Sequence, residues 1–283
     1  MSAPVHVVTD STAGLSVAEA DRYGVTVVPL QVVIGGVSYD EGAASSATVA
    51  EALKSWTPVS TSRPAPQAFA DVYAACAAAG AHEVVSVHLS AEMSGTLESA
   101  MIGAKESPVP VRHVDARSLG MGLGFPVIAA AEAAAAGAGA EEVESVARQR
   151  AAAVSSFFYV DTLEHLRRGG RIGAAQAFLG TALAVKPLLT ITDGRIVPLE
   201  KVRTSARAIA RLGDIAVERA GSGPVDVAVH HLDNLAAAES LAARLSDRLP
   251  KAGEVLIRDV GSVIGAHVGP GVLAVVVAPR TSA

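Results

Sequence analysis

The stretch HEVVSVHLSAEMSGTLESA, residues 82–100, contains a strand, a polar corner and the start of a helix in immediate succession. Its first half is rich in valine, as expected of a buried strand. Ser94, Gly95 and Thr96 follow at the point where a helix should begin. Such a corner can carry a nucleophilic serine, bind an anion at the helix N-terminus, or only cap the helix. These three alternatives define the functional question for this chain.

The same alternation of strand and helix runs through the first half of the chain. Strand-like runs begin at residues 5, 25, 82 and 111, with helical patterns between and after them. The run at 25–34 is apolar almost throughout, which predicts one strand covered on both faces. Strands that alternate with helices indicate a parallel sheet with helices on both faces.

The second half of the chain has a different pattern. Asp193-Gly194 lies between two strand-like runs of residues 186–203, which predicts a hairpin. Helices at 205–220 and 235–249 and further strands follow, so this half is predicted to be an α/β domain with a mixed sheet. We therefore predict two α/β domains, residues 1–154 and residues 155–283, that meet across a cleft.

Composition and charge exclude several classes of protein. Half of the 283 residues are apolar and only 18% are charged, which excludes a disordered chain. The net charge is −5 and no basic stripe is present, so we expect no nucleic acid as a partner. Aromatic residues make up 4% of the chain, too few to form a stacking platform for single strands.

The compartment is predicted from cysteine usage and hydropathy. Cys76 is the only cysteine, so no internal disulfide is possible and a reducing, cytoplasmic location is expected. Its spacing from other apolar residues of the helix at 64–80 predicts a core position. The N-terminal residues lack the pattern of a signal peptide, and the alanine-rich stretch at 125–140 is interrupted by Glu132. We expect no integral membrane segment.

Three small polar clusters follow apolar strands and are the candidate binding residues: Asp10-Ser11-Thr12, Thr61-Ser62 and Ser94-Gly95-Thr96. Ligands of parallel α/β sheets lie beyond the carboxyl ends of the strands, where helix N-termini attract anions. The alternative is that each cluster only caps a helix, as serine and threonine often do.

Metals and nucleotide cofactors are not expected. Neither a Walker-type phosphate loop nor a G-x-G-x-x-G motif follows the first strand. His230 and His231 are adjacent on a predicted strand, so their side chains should point to opposite faces. The chain has no H-E-x-x-H motif or comparable ligand spacing.

Two further segments contain candidate functional residues. GSVIGAHVGPGVLAV, residues 261–275, is predicted to be a glycine-rich loop between two strands, with His267 inside it. In LEHLRRGGRI, residues 163–172, the first arginines are explained as basic residues at a helix C-terminus, whereas Arg171 lies beyond both glycines. A serine hydrolase would pair Ser94 with a base such as His267, but the first glycine of G-x-S-x-G is absent.

Six motifs taken together resemble one known family. VVTDST (7–12), TSRP (61–64), SAEMSGT (90–96), LEHLRRGGRI (163–172), KVRT (201–204) and GAHVGPG (265–271) occur in this order and spacing. They closely resemble the DegV family of bacterial proteins, and the resemblance covers essentially the full chain. One position departs from the family pattern: Arg63 stands where the family commonly has glutamine, which leaves the contacts of the carboxylate open.

The resemblance implies a fatty-acid-binding protein with two α/β domains and an apolar tunnel between or beside them. It assigns the carboxylate of the ligand to the hydroxyls of Thr61, Ser62 and Ser94, with Gly95 and Thr96 beside the last of these. Arg171 and His267 match positions expected near this head group or the rim that faces a partner. No cofactor is implied apart from the bound fatty acid.

The best-understood members of the family that this chain resembles act as the lipid-carrying subunit of bacterial fatty acid kinase. The resemblance thus implies that the chain presents a carboxyl group to a separate ATP-dependent kinase subunit, which forms an acyl-phosphate. Arg203 of the KVRT motif is assigned to the surface that contacts the kinase. The chain itself is expected to be a carrier without catalysis. The alternatives are a serine esterase or acyltransferase that uses Ser94 and His267, and a non-lipid binder on the same fold.

Overall fold

Proline 29 interrupts the long apolar run at residues 25–34. In the computed structural model, which describes residues 4–178 and 186–280, this run forms two strands, Val25–Val28 and Gln31–Ile34, in different sheets. Proline has no N–H to donate to a sheet, so the chain leaves the first sheet at this point. The prediction of a single strand covered on both faces was therefore wrong.

The strands of the described residues are, in chain order, β1 Val5–Asp10, β2 Val25–Val28, β3 Gln31–Ile34, β4 Val37–Asp40, β5 Val59–Ser62, β6 Glu83–His88, β7 Val111–Asp115, β8 Ser155–Tyr159, β9 Lys186–Thr192, β10 Arg195–Val202, β11 Val225–His231, β12 Ala252–Asp259 and β13 Leu273–Pro279. The α-helices are α1 Val17–Tyr23, α2 Ser46–Lys54, α3 Pro66–Ala78, α4 Thr96–Gly103, α5 Met121–Ala135, α6 Ala140–Ala153, α7 Glu164–Arg168, α8 Ser205–Ala220, α9 Leu235–Arg248 and α10 Gly261–Val268. Short 3-10 turns lie at Ser11–Ala13, Ala104–Glu106 and Gly173–Phe178.

The chain divides into two compact units. One lies within Met1–Gln31 and Ser62–Ala152, and the other within Val32–Thr61 and Ala153–Ala283. The sequence-based boundary between residues 154 and 155 lies close to the last of these transitions. It does not include the excursion of residues 32–61 into the second unit, which begins just after Pro29 ends β2.

The first unit contains a parallel sheet in the order β2-β1-β6-β7. Val7 and Val85 pack with residues of α5 and α6, such as Val127 and Val143. On the other face, Val8 and Val84 pack with α3 and α4. Because neighbouring residues of β1 and β6 enter different clusters, both faces of this sheet are covered. The predicted parallel sheet with helices on both faces is confirmed.

The second unit contains a six-stranded mixed sheet in the order β10-β9-β8-β13-β11-β12. Only β11 and β12 pair in parallel among the pairings of this sheet. Helices α8 and α9 pack on the face that includes Tyr159 and Val227. Asp193 and Gly194 both have positive φ and connect β9 to β10, as the hairpin prediction required. The prediction of a mixed-sheet α/β architecture is confirmed.

The glycine-rich segment after β12 is a helix and not the predicted loop. Residues Gly261–Val268 form α10, and the chain turns after it at Gly269 and Gly271, which both have positive φ. The valine, isoleucine and alanine residues between the glycines are mostly buried, and this burial stabilises a helix that its glycines alone would disfavour. His267 therefore lies in the last turn of a helix.

Several local predictions are confirmed. Ser16 and Glu19 form a capping box at the start of α1, and Gly24 ends this helix in the left-handed conformation. Cys76 is buried in α3, and burial raises the pKa of its thiol, as expected of a core residue. The alanine-rich stretch forms α5 and the start of α6 in the core of the first unit. Within residues 4–178 and 186–280, helices that combine the length and hydropathy needed to span a lipid bilayer do not occur.

Core packing in the second unit is tested by two leucines of α9. Leu241 is 0% exposed and Leu235 is 51% exposed. Leu241→Ala should lower the free energy of unfolding by about 2–5 kcal/mol, because it leaves a cavity in the core. Leu235→Ala, on the solvent side of the same helix, should change it by less than about 0.5 kcal/mol. Urea denaturation measures both; equal losses would contradict the assigned face of α9.

Candidate functional site

The second unit contains a cleft of about 430 Å³, a volume within the usual range for small-molecule sites. It is lined by residues of α2, β5, α7 and α10, by the connection between α2 and β5, and by the segment after α7. The aliphatic part of its wall includes Leu53, Pro58, Val59 and Ala266. The polar part of the wall includes Thr57, Ser60 and Thr61, His267, and the basic residues of the segment 165–171, so the lining is mixed.

Thr61 and His267 form a hydrogen bond in the wall of this cleft. The Oγ1 atom of Thr61, on β5, lies 2.8 Å from Nε2 of His267, on α10. Burial lowers the pKa of His267 to about 4, and the positive charge of Arg171 adds to this effect. The imidazole is therefore neutral at neutral pH. It serves as a hydrogen-bonding group and not as a cation.

Arg171 is the basic residue at this cleft that capping does not explain. Glu164 accepts hydrogen bonds from Arg167 and Arg168 on α7, which lower the pKa of its carboxyl to about 2. Arg171 instead donates from Nη1 to the carbonyl oxygen of Gly169, at 2.6 Å. Its guanidinium is held in the cleft wall by the backbone.

Trp56, which was not a candidate from sequence, also lines the cleft, as does Arg168, which the sequence explained as a basic residue at a helix C-terminus. The Trp56 side chain is 73% exposed, and the guanidinium carbon of Arg168 lies 4.9 Å from the centre of its ring. This is a cation–π contact. The signal available in the sequence was that Trp56 is the only tryptophan of the chain.

The polar corner at Ser94, Gly95 and Thr96 lies in the first unit. Ser94 Oγ is 2.9 Å from Thr96 Oγ1 and accepts a hydrogen bond from the Thr96 backbone N–H, at 3.3 Å. Gly95 is the N-cap of α4, and Thr96 is its buried first residue. Gly95 makes no side-chain capping hydrogen bond, so these local contacts of Ser94 leave its role at the head group a prediction. The hydroxyl of Ser94 is engaged with Thr96, and His267 is engaged with Thr61.

Arg63, the departure from the family pattern, belongs to the same corner. Its Nη1 donates to the Gly95 carbonyl oxygen at 3.2 Å and pairs with the Glu98 carboxylate. Ser62, the neighbouring residue, donates its hydroxyl to the side chain of Gln31 at 3.2 Å. The predicted site residues thus fall into two groups. Thr61, Arg171 and His267 meet at the cleft of the second unit, whereas Ser62 and the corner at 94–96 belong to the first.

A buried carboxylate, Asp10, organises the carboxyl edge of the parallel sheet. Its Oδ1 accepts hydrogen bonds from the backbone N–H and the hydroxyl of Thr12, at 3.1 and 2.6 Å. Its Oδ2 accepts from the Leu89 backbone N–H and lies 3.0 Å from Nδ1 of His88. The third cluster of the sequence analysis, Asp10-Ser11-Thr12, therefore joins the ends of β1 and β6. It has a structural role that requires no ligand.

The network extends from Asp10 into the core in the order of a catalytic triad. His88 Nε2 is 2.7 Å from Ser86 Oγ, which is in turn 2.8 Å from the Tyr73 hydroxyl. Ser86 is 0% exposed. A nucleophile must reach its substrate, so this Ser-His-Asp arrangement is not an active site in the present structure.

Metal ligands do not cluster in the part of the chain that the structure describes. No group of three or more His, Cys, Asp or Glu side chains there could hold a metal ion. His230 is buried in β11, where burial lowers its pKa to about 4, and the adjacent His231 is less buried. This agrees with the predicted opposite orientation of the two side chains.

Comparisons with known proteins extend over nearly the whole chain. Residues 4–280 match the family of uncharacterised DegV proteins. A DegV domain-containing protein of Streptomyces coelicolor is 54% identical over 281 residues, 99% of this chain and 100% of the other. The solved structure of a fatty-acid-binding DegV family protein from Thermus thermophilus has a TM-score of 0.92 at 32% identity, and covers 98% of this chain and 100% of its own.

A second solved structure, DegV of Bacillus subtilis, is described as a fatty acid binding protein. It has a TM-score of 0.91 at 32% identity, and the alignment covers 99% of this chain and 100% of the other. The family match, the Streptomyces relative and the two solved structures point to the same family over nearly the whole chain. The resemblance that six motifs predicted is confirmed: the chain belongs to the DegV family.

Proposed function

We propose that this chain binds a long-chain fatty acid and presents its carboxylate to a separate ATP-dependent kinase subunit, which forms the acyl-phosphate. The observation that carries the proposal is the Thr61–His267 pair in a cleft that also presents aliphatic side chains and Arg171. Two relatives at 32% identity are described as fatty-acid-binding. The chain acts as a carrier without catalysis, and its location is cytoplasmic.

The acyl tail supplies most of the binding free energy. Burial of an apolar chain contributes about 0.8 kcal/mol per methylene, or about 11 kcal/mol for roughly fourteen methylenes. Several kcal/mol of this gain offset the loss of translational freedom. Because the remainder already gives a stable complex, the head-group site is free to hold the carboxylate through hydrogen bonds rather than through a close ion pair.

The head-group site is suited to a carboxylate that must react. The Thr61 hydroxyl is a directed donor, the neutral His267 orients it, and Arg171 supplies positive charge to the same cleft. One carboxylate oxygen can then remain open to an incoming γ-phosphate. We also propose that Ser62, Ser94, Gly95 and Thr96 belong to the head-group site, because the family resemblance implies it. Mutation of these residues tests the assignment.

The kinase contact is assigned to the segment that contains Arg203. This residue is exposed and directly precedes Thr204, the N-cap of α8. An exposed arginine beside a helix start is accessible to a partner without any change in the fold. Arg203 is therefore proposed to contact the kinase and to have no part in holding the lipid.

Lipid binding is tested by an inventory of the ligand. The chain is purified without detergent, extracted with organic solvent, and the extract is analysed by mass spectrometry. We expect about one fatty acid per chain, because the buried tail dissociates slowly. Recovery of a different small molecule, or of none, would contradict the proposal. Labelling of Ser94 by a fluorophosphonate probe, lost in His267→Ala, would instead support a serine esterase.

The head-group assignment is tested by removing hydroxyls. The variants Thr61→Ala and Ser94→Ala, and the double variant, should lower kinase-dependent phosphorylation of the bound acid about tenfold or more, because each loses a hydrogen bond to a charged group. Incorporation of γ-³²P into the acyl group measures this. Thr192→Val, an exposed threonine on β9, is the control. Unchanged transfer in the double variant would refute the assignment.

The partner surface is tested by separating binding from transfer. Arg203→Ala should retain its fatty acid but reduce kinase-dependent phosphorylation, because a rim charge affects association more than ligand burial. Arg207→Ala, an exposed arginine four residues further along, is the matched control. Equal transfer rates for the two variants would remove Arg203 from the proposed surface.

A further inference from the structure

Two segments at the cleft, residues 165–169 and 267–269, each place a histidine ring against a glycine of the other segment. A Cβ atom at Gly169 would lie 2.2 Å from Nδ1 of His267, and one at Gly269 would lie 2.2 Å from the His165 ring. Each imidazole therefore lies against the backbone of the other segment. Gly169 has a φ of −71°, which any residue can adopt, so it is the space of a side chain and not the backbone conformation that requires glycine there.

The contact between Gly169 and the His267 ring is evidence for which nitrogen of that ring carries the proton. Nδ1 is buried and has no hydrogen-bond partner among the residues that the structure describes. It faces Gly169, whose Cα–H group is a weak donor but no acceptor. A proton on Nδ1 would be a buried donor without an acceptor, whereas a lone pair on Nδ1 faces a C–H group. Nε2, at 2.8 Å from Thr61 Oγ1, is the position where a proton finds an acceptor.

We propose that Gly169 holds His267 with its proton on Nε2, so that the imidazole donates to Thr61 and the Thr61 hydroxyl proton is left for an anionic acceptor in the cleft. A threonine hydroxyl has a single proton. If Nε2 accepted that proton, Thr61 would have none to donate to a carboxylate. Gly169 is thus a positioning residue that acts through His267. The identity of the acceptor as a fatty-acid carboxylate rests on the proposed function.

The protonation state is measured directly on the wild-type chain. Nitrogen-15 shifts of the histidine rings of the delipidated protein at pH 7 distinguish a proton on Nε2 from one on Nδ1, and His267→Gln assigns the signal. We expect the Nε2–H form of His267. A signal from the Nδ1–H form, or equal populations of the two forms, would overturn the inference.

The role of Gly169 is tested with a matched pair of substitutions. Gly169→Ala should shift His267 away from the Nε2–H form and weaken palmitate binding about tenfold or more, because one hydrogen bond to the carboxylate is lost. Gly223→Ala is the control, since a Cβ there meets no described atom within 4 Å. If Gly169→Ala lowers the Tm, Gly169→Ala/His267→Ala should restore it. Destabilisation that persists without the imidazole would overturn the positioning role.

The two proposals fail in different ways. Absence of a bound fatty acid together with an Nε2–H imidazole would refute the proposed function and leave this inference standing. A bound fatty acid together with an Nδ1–H imidazole would overturn the inference alone.

Discussion

The hydrogen bond between Thr61 and His267 joins residues that are 206 positions apart in the chain. It depends on a neutral imidazole, because a charged ring at this site would have to lose its hydration and lie near Arg171. Aliphatic side chains of α2 and β5 lie in the wall of the same cleft. The cleft therefore combines aliphatic surface with an uncharged polar group. An amphiphile with a long tail and a small anionic head requires this combination.

The first unit contains three residues in the order of a catalytic triad that do not form an accessible site. Ser86, His88 and Asp10 are connected in the order of a serine hydrolase triad, and all three are buried. Asp10 also accepts from two backbone N–H groups, so its carboxylate is needed to satisfy the ends of β1 and β6. The polar cluster that the sequence marked as a candidate site is thus explained by the sheet edge itself. Accessibility, which a sequence does not reveal, separates it from the cleft of the second unit.

Local rules predicted much of the fold, and tertiary packing decided the rest. The capping box at Ser16, the hairpin at Asp193-Gly194 and the alternation of strands with helices rest on contacts between near neighbours in the chain, so they can be deduced from sequence. Helix α10 could not be deduced from sequence, because its glycines favour a loop and its burial depends on distant residues such as Val32 and Val49. The excursion of residues 32–61 likewise depends on which sheet β3 joins. At the site, Thr61, Arg171 and His267 were marked by their sequence context and by the family resemblance, whereas their meeting at one cleft required the structure.

Arg63 shows how a departure from a family pattern can be compensated locally. Its positive charge is paired with Glu98 in the same unit, and its second contact is the Gly95 carbonyl oxygen. The charge of Arg63 is therefore balanced by Glu98, and both side chains are partly exposed, so solvent screens the pair. A Cβ at Gly95 would meet the Arg63 guanidinium, so a larger residue there would displace this partly exposed side chain. The substitution and the glycine are thus coupled sterically. A glutamine at position 63, with its shorter and uncharged side chain, would remove both this steric contact and the partner of Glu98.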